Sequence, residues 1–377
     1  MTDPAPGPAP GRVPPLSVRW FLPMGTDTAY VGEYPESGPP ASVERLVATA
    51  RAAEVAGCTG MLVPTAYVNE LDPLSVVAAV LSRTRRISLL VAVRQNQYHP
   101  VQAAMMLGSL ATLFPGRIEV NVVTGGWGED AWIGDETPQD QRGRRLAEWL
   151  DLFGQVLRAE SKTAFEGAFY RSNGAIRSAA ARVPIALSGS SPAAMAALAE
   201  HGDHYLTYLA PLEEIRRQCG QVALGVAGAV PGSAAPSVVV RAHLVVRETE
   251  SQAWAAAEDL LSRADPRVLA TVRRQRTLPG SQRSAQVALV AAAPPGELRV
   301  GPNLWAGVGT ARYGAALALV GAPDRIADRI AEYRDAGVGG FILSGYPKLE
   351  ECERYGRLLA PVLRQRGLIA PEQQPTP

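Results

Sequence analysis

An alternation constrains this chain more than any other feature. Short runs rich in β-branched residues recur at residues 17–23, 60–64, 87–94, 118–125, 184–190, 204–209, 237–248 and 340–345. Longer segments between them carry apolar residues three and four apart. Examples are 42–56 (Val43, Leu46, Val47, Ala50) and 100–113 (Ala103, Ala104, Leu107, Leu110), followed by 141–157, 192–201, 250–264 and 324–336. Strand–helix repeats imply a parallel sheet, because only a crossover helix returns the chain to start the next strand in the same direction. Eight such units are the count at which the sheet closes on itself. The expected fold is therefore α/β, a (β/α)8 TIM barrel with insertion segments at its C-terminal face. An open doubly wound sheet is the competitor, and no GxGxxG turn follows the first strand to favour it.

The 377 residues are expected to form one barrel domain over 16–370, with an insertion at about 265–321. Pro-, Ala- and Gly-rich tails at 1–15 and 371–377 are expected to be disordered. The first tail lacks the basic and apolar regions of a secretory signal, and no apolar run is long enough to span a bilayer. A net charge of +1 gives no reason to expect a nucleic acid or an anionic membrane as partner. Three cysteines show neither a disulfide framework nor a metal-ligand spacing, so a reducing cytoplasm and no metal are expected.

In a parallel barrel the functional groups gather where strands end. The seventh run, SVVVRAHLVVRE, aims Arg241 and His243 at the same face, since side chains two apart on a strand point alike. A buried arginine needs a partner: either an internal acid such as Glu119, or a bound oxyanion. Asn121 lies in NVVTGG at the end of the fourth run, with Thr124 just after it, and an interior amide also needs a partner. Ser188, Ser190 and Ser191 precede Pro192 at a helix start, a place for a phosphate or for an ordinary N-cap. Arg94, Asn96 and Tyr98 alternate at the third strand's end, and His99 before Pro100 reads as a turn residue. Arg312 sits in a glycine-flanked stretch and Tyr346 follows the last strand in LSGYP. Closure of the barrel makes the seventh and eighth strands neighbours, so Arg241, His243 and Tyr346 converge on one pocket as oxyanion donors. HExxH, CxxC and P-loop motifs are absent, and no carboxylate pair stands out. Demanding chemistry would therefore come from a cofactor.

These residues give the chain its resemblance to the bacterial-luciferase-like flavin monooxygenases, and within them to the FMNH2-dependent alkanesulfonate monooxygenases. WFLP, GMLVPT, NVVTG, SGSS, HYLTY, VRAHLVVRET, PNLWAGVG and FILSGYPKLEE carry it, over nearly everything from residue 17 to about 370. The resemblance implies reduced FMN from a separate NAD(P)H-dependent flavin reductase, molecular oxygen as co-substrate, and C–S cleavage of a sulfonate to an aldehyde and sulfite. It implies a small anionic organic substrate and a homo-oligomer. It assigns Arg241, His243, Tyr346 and Arg312 to catalysis, with Arg241, Arg312, Tyr208 and Asn69 around the substrate. Asn121, Thr124, Ser188, Ser190, Ser191 and Arg142 are assigned to FMN. The loop after the fourth strand and the long insertion are expected to close over the site. The chain departs from the group's pattern at four places: Gly25 stands for its histidine, Asn69 for its cysteine, Tyr208 for its tryptophan, and Gly143 for its tyrosine. The alternatives that follow are the same flavin chemistry on an amine, a thioether or a biosynthetic intermediate, a deazaflavin in place of FMN, or a non-catalytic flavin-binding protein.

Overall fold

The computed structural model describes residues 14–66, 71–125, 129–159, 162–175, 182–233, 235–275, 286, 288–291 and 298–371. Its strands are β1 (Ser17–Phe21), β2 (Gly60–Val63), β3 (Ser88–Arg94), β4 (Ile118–Val123), β5 (Thr163–Glu166), β6 (Arg171–Ala175), β7 (Ile185–Leu187), β8 (His204–Tyr208), β9 (Ser237–Val246), β10 (Arg299–Gly301), β11 (Leu304–Trp305), β12 (Ala318–Gly321) and β13 (Val338–Ser344). Parallel pairing runs β1–β2–β3–β4–β7–β8–β9–β13, and β13 returns to β1. The barrel is closed and eight-stranded, and each of the eight expected runs supplies one of its staves.

The helices packed outside begin with α1 (Val43–Ala56), α2 (Pro73–Leu81), α3 (Pro100–Leu113), α4 (Arg142–Arg158), α5 (Pro192–His201), α6 (Leu212–Ala229) and α7 (Glu250–Asp259). Their starts follow from side-chain chemistry. Ser42, Asp72, Ser191 and Thr249 each accept a backbone N–H of the first turn, and proline opens α2, α3 and α5 where no N–H is needed. Residues 73–81 and 212–229 become helices that the spacing argument does not single out. β5 and β6 form a two-stranded hairpin, likewise unforeseen, whose turn is held by Glu148 accepting the N–H groups of Ala168 and Phe169 at 3.1 and 2.8 Å. Among the described residues, no helix is long and apolar enough to cross a membrane.

Alternation along each strand divides its residues between two environments. One set, including Trp20, Met61, Leu89, Val91, Val120, Val240 and Leu343, packs against the helices. The other fills the barrel in layers. Arg19 and Glu119 form an ion pair at 2.5 Å on the floor, with Ser88 donating to the same carboxylate at 2.7 Å. Above them Leu62, Leu90, Ala186, Leu206, Val239 and Ile342 make an apolar plug. Asn121, Arg241, His243 and Ser344 line the top. Burying one large aliphatic side chain contributes about 1.5–3 kcal/mol, so the plug seals the barrel and leaves chemistry only at the C-terminal mouth.

β9 is the longest strand. β13 lies along one of its edges, while the other edge is shared, first by β8 and then, from His243 onward, by β12. The segment expected as an insertion thus continues the sheet: β12 pairs with β11, and β11 with β10, through a turn where Asn303 takes the left-handed conformation at φ 58°. A second small core forms there from Val31, Val245, Trp305, Val308, Val320 and Tyr346. Residues 316–321, ALALVG, are too short and too uniformly apolar for their pattern to separate strand from loop.

Candidate active site

β9 and β13 assemble one side of the mouth. Arg241 and Ile342 are register partners, as are His243 and Ser344, so all four point inward together. Arg241 is 6% exposed. It donates to the Ala242 carbonyl, to the Ile342 carbonyl at 3.4 Å and to Ser344 Oγ at 2.7 Å, and it lies 4.7 Å from the centre of the Phe21 ring. Among the described residues no carboxylate pairs with it. Glu119, the internal acid that would have made it structural, is two layers below with Arg19. Burial, and then the charge of Arg312, pull Arg241 down to about 9, still cationic at neutral pH.

Arg312 arrives from the insertion, just past the short helix Val308–Ala311, and donates to the Tyr346 hydroxyl. Burial pulls Arg312 down as well, but Tyr346, Tyr208 and the carboxylate of Glu36 together more than offset it. It too has no carboxylate within ion-pair distance among the described residues. His243 is 2% exposed and stacks on Tyr346, ring centres 5.5 Å apart. Its Nε2 lies 3.2 Å from the Ala315 carbonyl and its Nδ1 3.0 Å from Ser344 Oγ. Burial first, then Arg241, Arg312 and Lys348, hold its proton affinity well below the usual range, so the ring is neutral. Tyr208 ends β8 beside Arg241 in register, and a Cβ at Gly314 would stand 3.7 Å from its hydroxyl. Arg241, His243, Arg312, Tyr346 and Tyr208 are therefore gathered in one place.

Two of the residues here escape a reading of the sequence. Lys348 lies just beyond Tyr346, 4.8 Å from that ring's centre, with its ammonium 3.5 Å from buried Asp27. Ser344 ends β13. Its position two residues after Ile342, on the inward face, is the signal that was available. Gln286 of the insertion is also buried; it donates to the Leu209 carbonyl and accepts from Ala316 N–H, fastening the segment before Arg312 to the barrel.

The opposite side of the mouth, above β3 and β4, is built differently. Asp130, 2% exposed, receives Arg142 at 2.7 Å, Arg94 at 3.7 Å and the Asn96 amide at 3.0 Å. Arg142 also donates to the Thr137 carbonyl, so the arginine expected at FMN is engaged inside its own loop. Arg145 and Asp135 add a second pair at 2.8 Å. Gly125, at φ 81°, lets the backbone pass against Asp130, where a Cβ would stand 2.4 Å from the carboxylate. A Cβ at Gly143 would come within 3.1 Å of Ala193, so any side chain there would crowd the start of α5.

Asn121 lies between these sides, 8% exposed, and its Oδ1 has no hydrogen-bond partner among the described residues. Thr124 is half-buried, its carbonyl accepting from Gln95 at 3.3 Å. Ser188 is half-buried and Ser190 exposed, while Ser191 caps α5 by accepting from Ala194 N–H at 3.2 Å. His99 caps α3, as a turn residue does. Asn69 and the loop tip 126–128 lie outside the described residues. Away from the mouth, Asp151, Glu200 and His201 bring ligand-type atoms within 4.8 Å of one another across α4 and α5, a grouping with no trace in linear spacing.

Comparison with known proteins bears on this geometry. The structure is similar to that of a riboflavin lyase solved with modified FMN and riboflavin (TM-score 0.79, 19% identity, 96% of this chain and 94% of that one). It is similar to an EDTA monooxygenase from Chelativorans sp. BNC1 (TM-score 0.75, 17% identity, 95% and 96% covered). DmoA from Hyphomicrobium sulfonivorans gives a TM-score of 0.77 at 16% identity, over 96% and 90%. At such identities the likeness speaks for the fold. The family model described as luciferase-like monooxygenase matches residues 18–340. That span runs from the first stave of the barrel to the last, and the chain belongs to the luciferase-like monooxygenase family.

Proposed function

We propose that this protein is a two-component flavin-dependent monooxygenase that takes reduced FMN from a separate reductase and, with O2, oxidises a small organic anion, an alkanesulfonate foremost. One observation carries the reading. The buried guanidinium of Arg241 and the half-buried one of Arg312 are close enough for one to depress the other's proton affinity, yet among the described residues no carboxylate is within ion-pair distance of either. Isolated buried charge is unfavourable, and a bound oxyanion relieves it with charge-assisted hydrogen bonds.

Asn121 supports the flavin part. Its unpartnered, buried amide oxygen wants an N–H donor, and the imide of a flavin ring is one. Asn121 would hold the ring, and Ser188 with Ser190, ahead of α5, would meet the phosphate, where a helix start favours negative charge. When bound, the flavin supplies the activation of oxygen. Arg241 and Arg312 hold the sulfonate. Tyr346 accepts from Arg312, which leaves its own proton for an oxygen on the reacting carbon. Overall, sulfonate, FMNH2 and O2 give aldehyde, hydrogen sulfite, FMN and water: the C–S bond breaks, one oxygen atom enters the aldehyde and the other leaves as water.

The test couples the protein to a flavin reductase with NADH and FMN. A panel of straight-chain sulfonates is offered beside carboxylates, phosphonates and neutral thioethers of matching length. Sulfite release with the sulfonates alone is the expected result. Turnover of carboxylates without sulfonates would keep the anion clamp and discard C–S cleavage; turnover of neutral thioethers alone would discard both.

A further inference from the structure

Ser344 ends β13 and is 1% exposed. Its hydroxyl lies between Arg241 and His243, and each neighbour's chemistry decides which way its proton points. The Ala315 carbonyl only accepts, so the His243 proton is on Nε2, 3.2 Å away. In a neutral ring Nδ1 is then an acceptor, and the donor 3.0 Å from it is Ser344. The Ser344 oxygen in turn accepts from Arg241 Nη2 at 2.7 Å. The order is Arg241 to Ser344 to His243 to Ala315, each group donating to the next. Neither nitrogen of His243 is left for substrate. Of the five N–H donors of Arg241, two on Nη1 face the Ala242 and Ile342 carbonyls and one on Nη2 faces Ser344. The Nε–H and the second Nη2–H remain, on neighbouring nitrogens.

We propose that Ser344 is a positioning residue: its hydroxyl sets the plane in which Arg241 presents its two remaining donors, and together with the Ala315 carbonyl it locks His243 as the Nε2–H tautomer by donating to Nδ1. His243 is thereby a fixed support of the anion clamp and not a proton carrier. The part concerning Arg241 rests on the anion-binding reading above; the part concerning His243 does not. The charged and titratable groups facing the ring are Arg241 on its own strand, Arg312 and Lys348 from the adjoining segments, and the Tyr346 hydroxyl bonded to Arg312. All three cations oppose a proton on the imidazole.

The test has two readouts. The chain holds four histidines, so 15N-histidine labelling with His243→Gln as assignment control gives a resolvable spectrum of the free protein. The expected wild-type signal is a single Nε2–H tautomer, unchanged between about pH 6 and pH 8. Ser344→Ala, which removes one oxygen and keeps the volume, is expected to leave the proton on Nε2, facing the Ala315 carbonyl, and to move the Nδ1 resonance downfield toward that of an imidazole nitrogen with no donor. An unchanged spectrum in Ser344→Ala, or a wild-type His243 that titrates in that range, overturns the tautomer lock whichever anion is oxidised. The second readout is KM. Ser344→Ala is expected to raise KM for the anion about tenfold with a smaller change in kcat, because a hydrogen bond to a charged group is lost. In an Arg241→Lys background the same change is expected to raise KM less than about twofold, since the group through which Ser344 acts is gone. Additive effects in that double-mutant cycle overturn the positioning role.

Discussion

Two arginine clusters face each other across one barrel mouth, and they are built on opposite principles. Above β3 and β4, Arg94 and Arg142 share the buried carboxylate of Asp130, and Arg145 holds Asp135. Above β9 and β13, Arg241 and Arg312 hydrogen-bond only to carbonyls and hydroxyls among the described residues, and the exposed carboxylate of Glu36 acts on Arg312 from beyond ion-pair distance; Lys348 pairs with an acid, Asp27. Burial is similar on the two sides, so desolvation is too. What differs is compensation. A cation with its own acid has its charge balanced within the fold; a cation without one keeps a charge that the proposed anion would balance. Residue type alone does not separate the two.

The sharpest way to break the comparison is to remove the acid from the compensated side. Asp130→Ala leaves Arg94 and Arg142 without their shared partner, and a stability loss of about 3–5 kcal/mol is expected in denaturant titration. A loss below about 1 kcal/mol would mean that the two sides are alike. On the uncompensated side, Arg241→Met is expected to lower kcat/KM at least about a hundredfold, roughly 2.7 kcal/mol. Its stability should change by no more than about 1 kcal/mol, because a charge without an acid contributes little to the fold. Reduced-flavin binding by this variant should match wild type. Methanesulfonate or sulfate at ten times its Kd is expected to stabilise the wild-type protein by about 1.4 kcal/mol in thermal melts and to leave Arg241→Met unmoved.

The smallest effect concerns pH. His243 is held neutral in the folded state, by burial first and then by the neighbouring cations. The unfolded chain takes up a proton there below about 6.5, so it binds more protons than the folded state and stability falls as pH drops. The expected contribution is a loss of about 0.7 kcal/mol at pH 6 relative to pH 7, and His243→Gln should remove it from the melting curve. His204 and His99, also held below their usual values by burial, would keep their shares.

The eight staves were readable because a strand buried on both faces between helices must be apolar and short, and the helices between must carry an apolar stripe. The pairing of Arg241 with His243 on one inward face was readable because strand parity needs no knowledge of the rest of the chain. For the same reason Asn121 stood out; its Oδ1 has no hydrogen-bond partner among the described residues. Arg142 shows the limit. The resemblance assigned it to FMN; its ion pair with Asp130, twelve residues earlier, was not legible, because a loop's internal ion pairs leave no periodic mark.

By itself, the order of residues determined the closed barrel, the mouth as the place for chemistry, and most of the side chains gathered there. Those properties depend on period and parity, which are local. Only the tertiary structure decided which arginines have an acid, that Glu119 lies on the floor with Arg19, that residues 318–321 extend the sheet beside β9, and that Ser344 and Lys348 join the site. Charge compensation is a matter of distance in three dimensions. Interaction energy depends on separation and on local dielectric, and neither quantity is written in linear spacing.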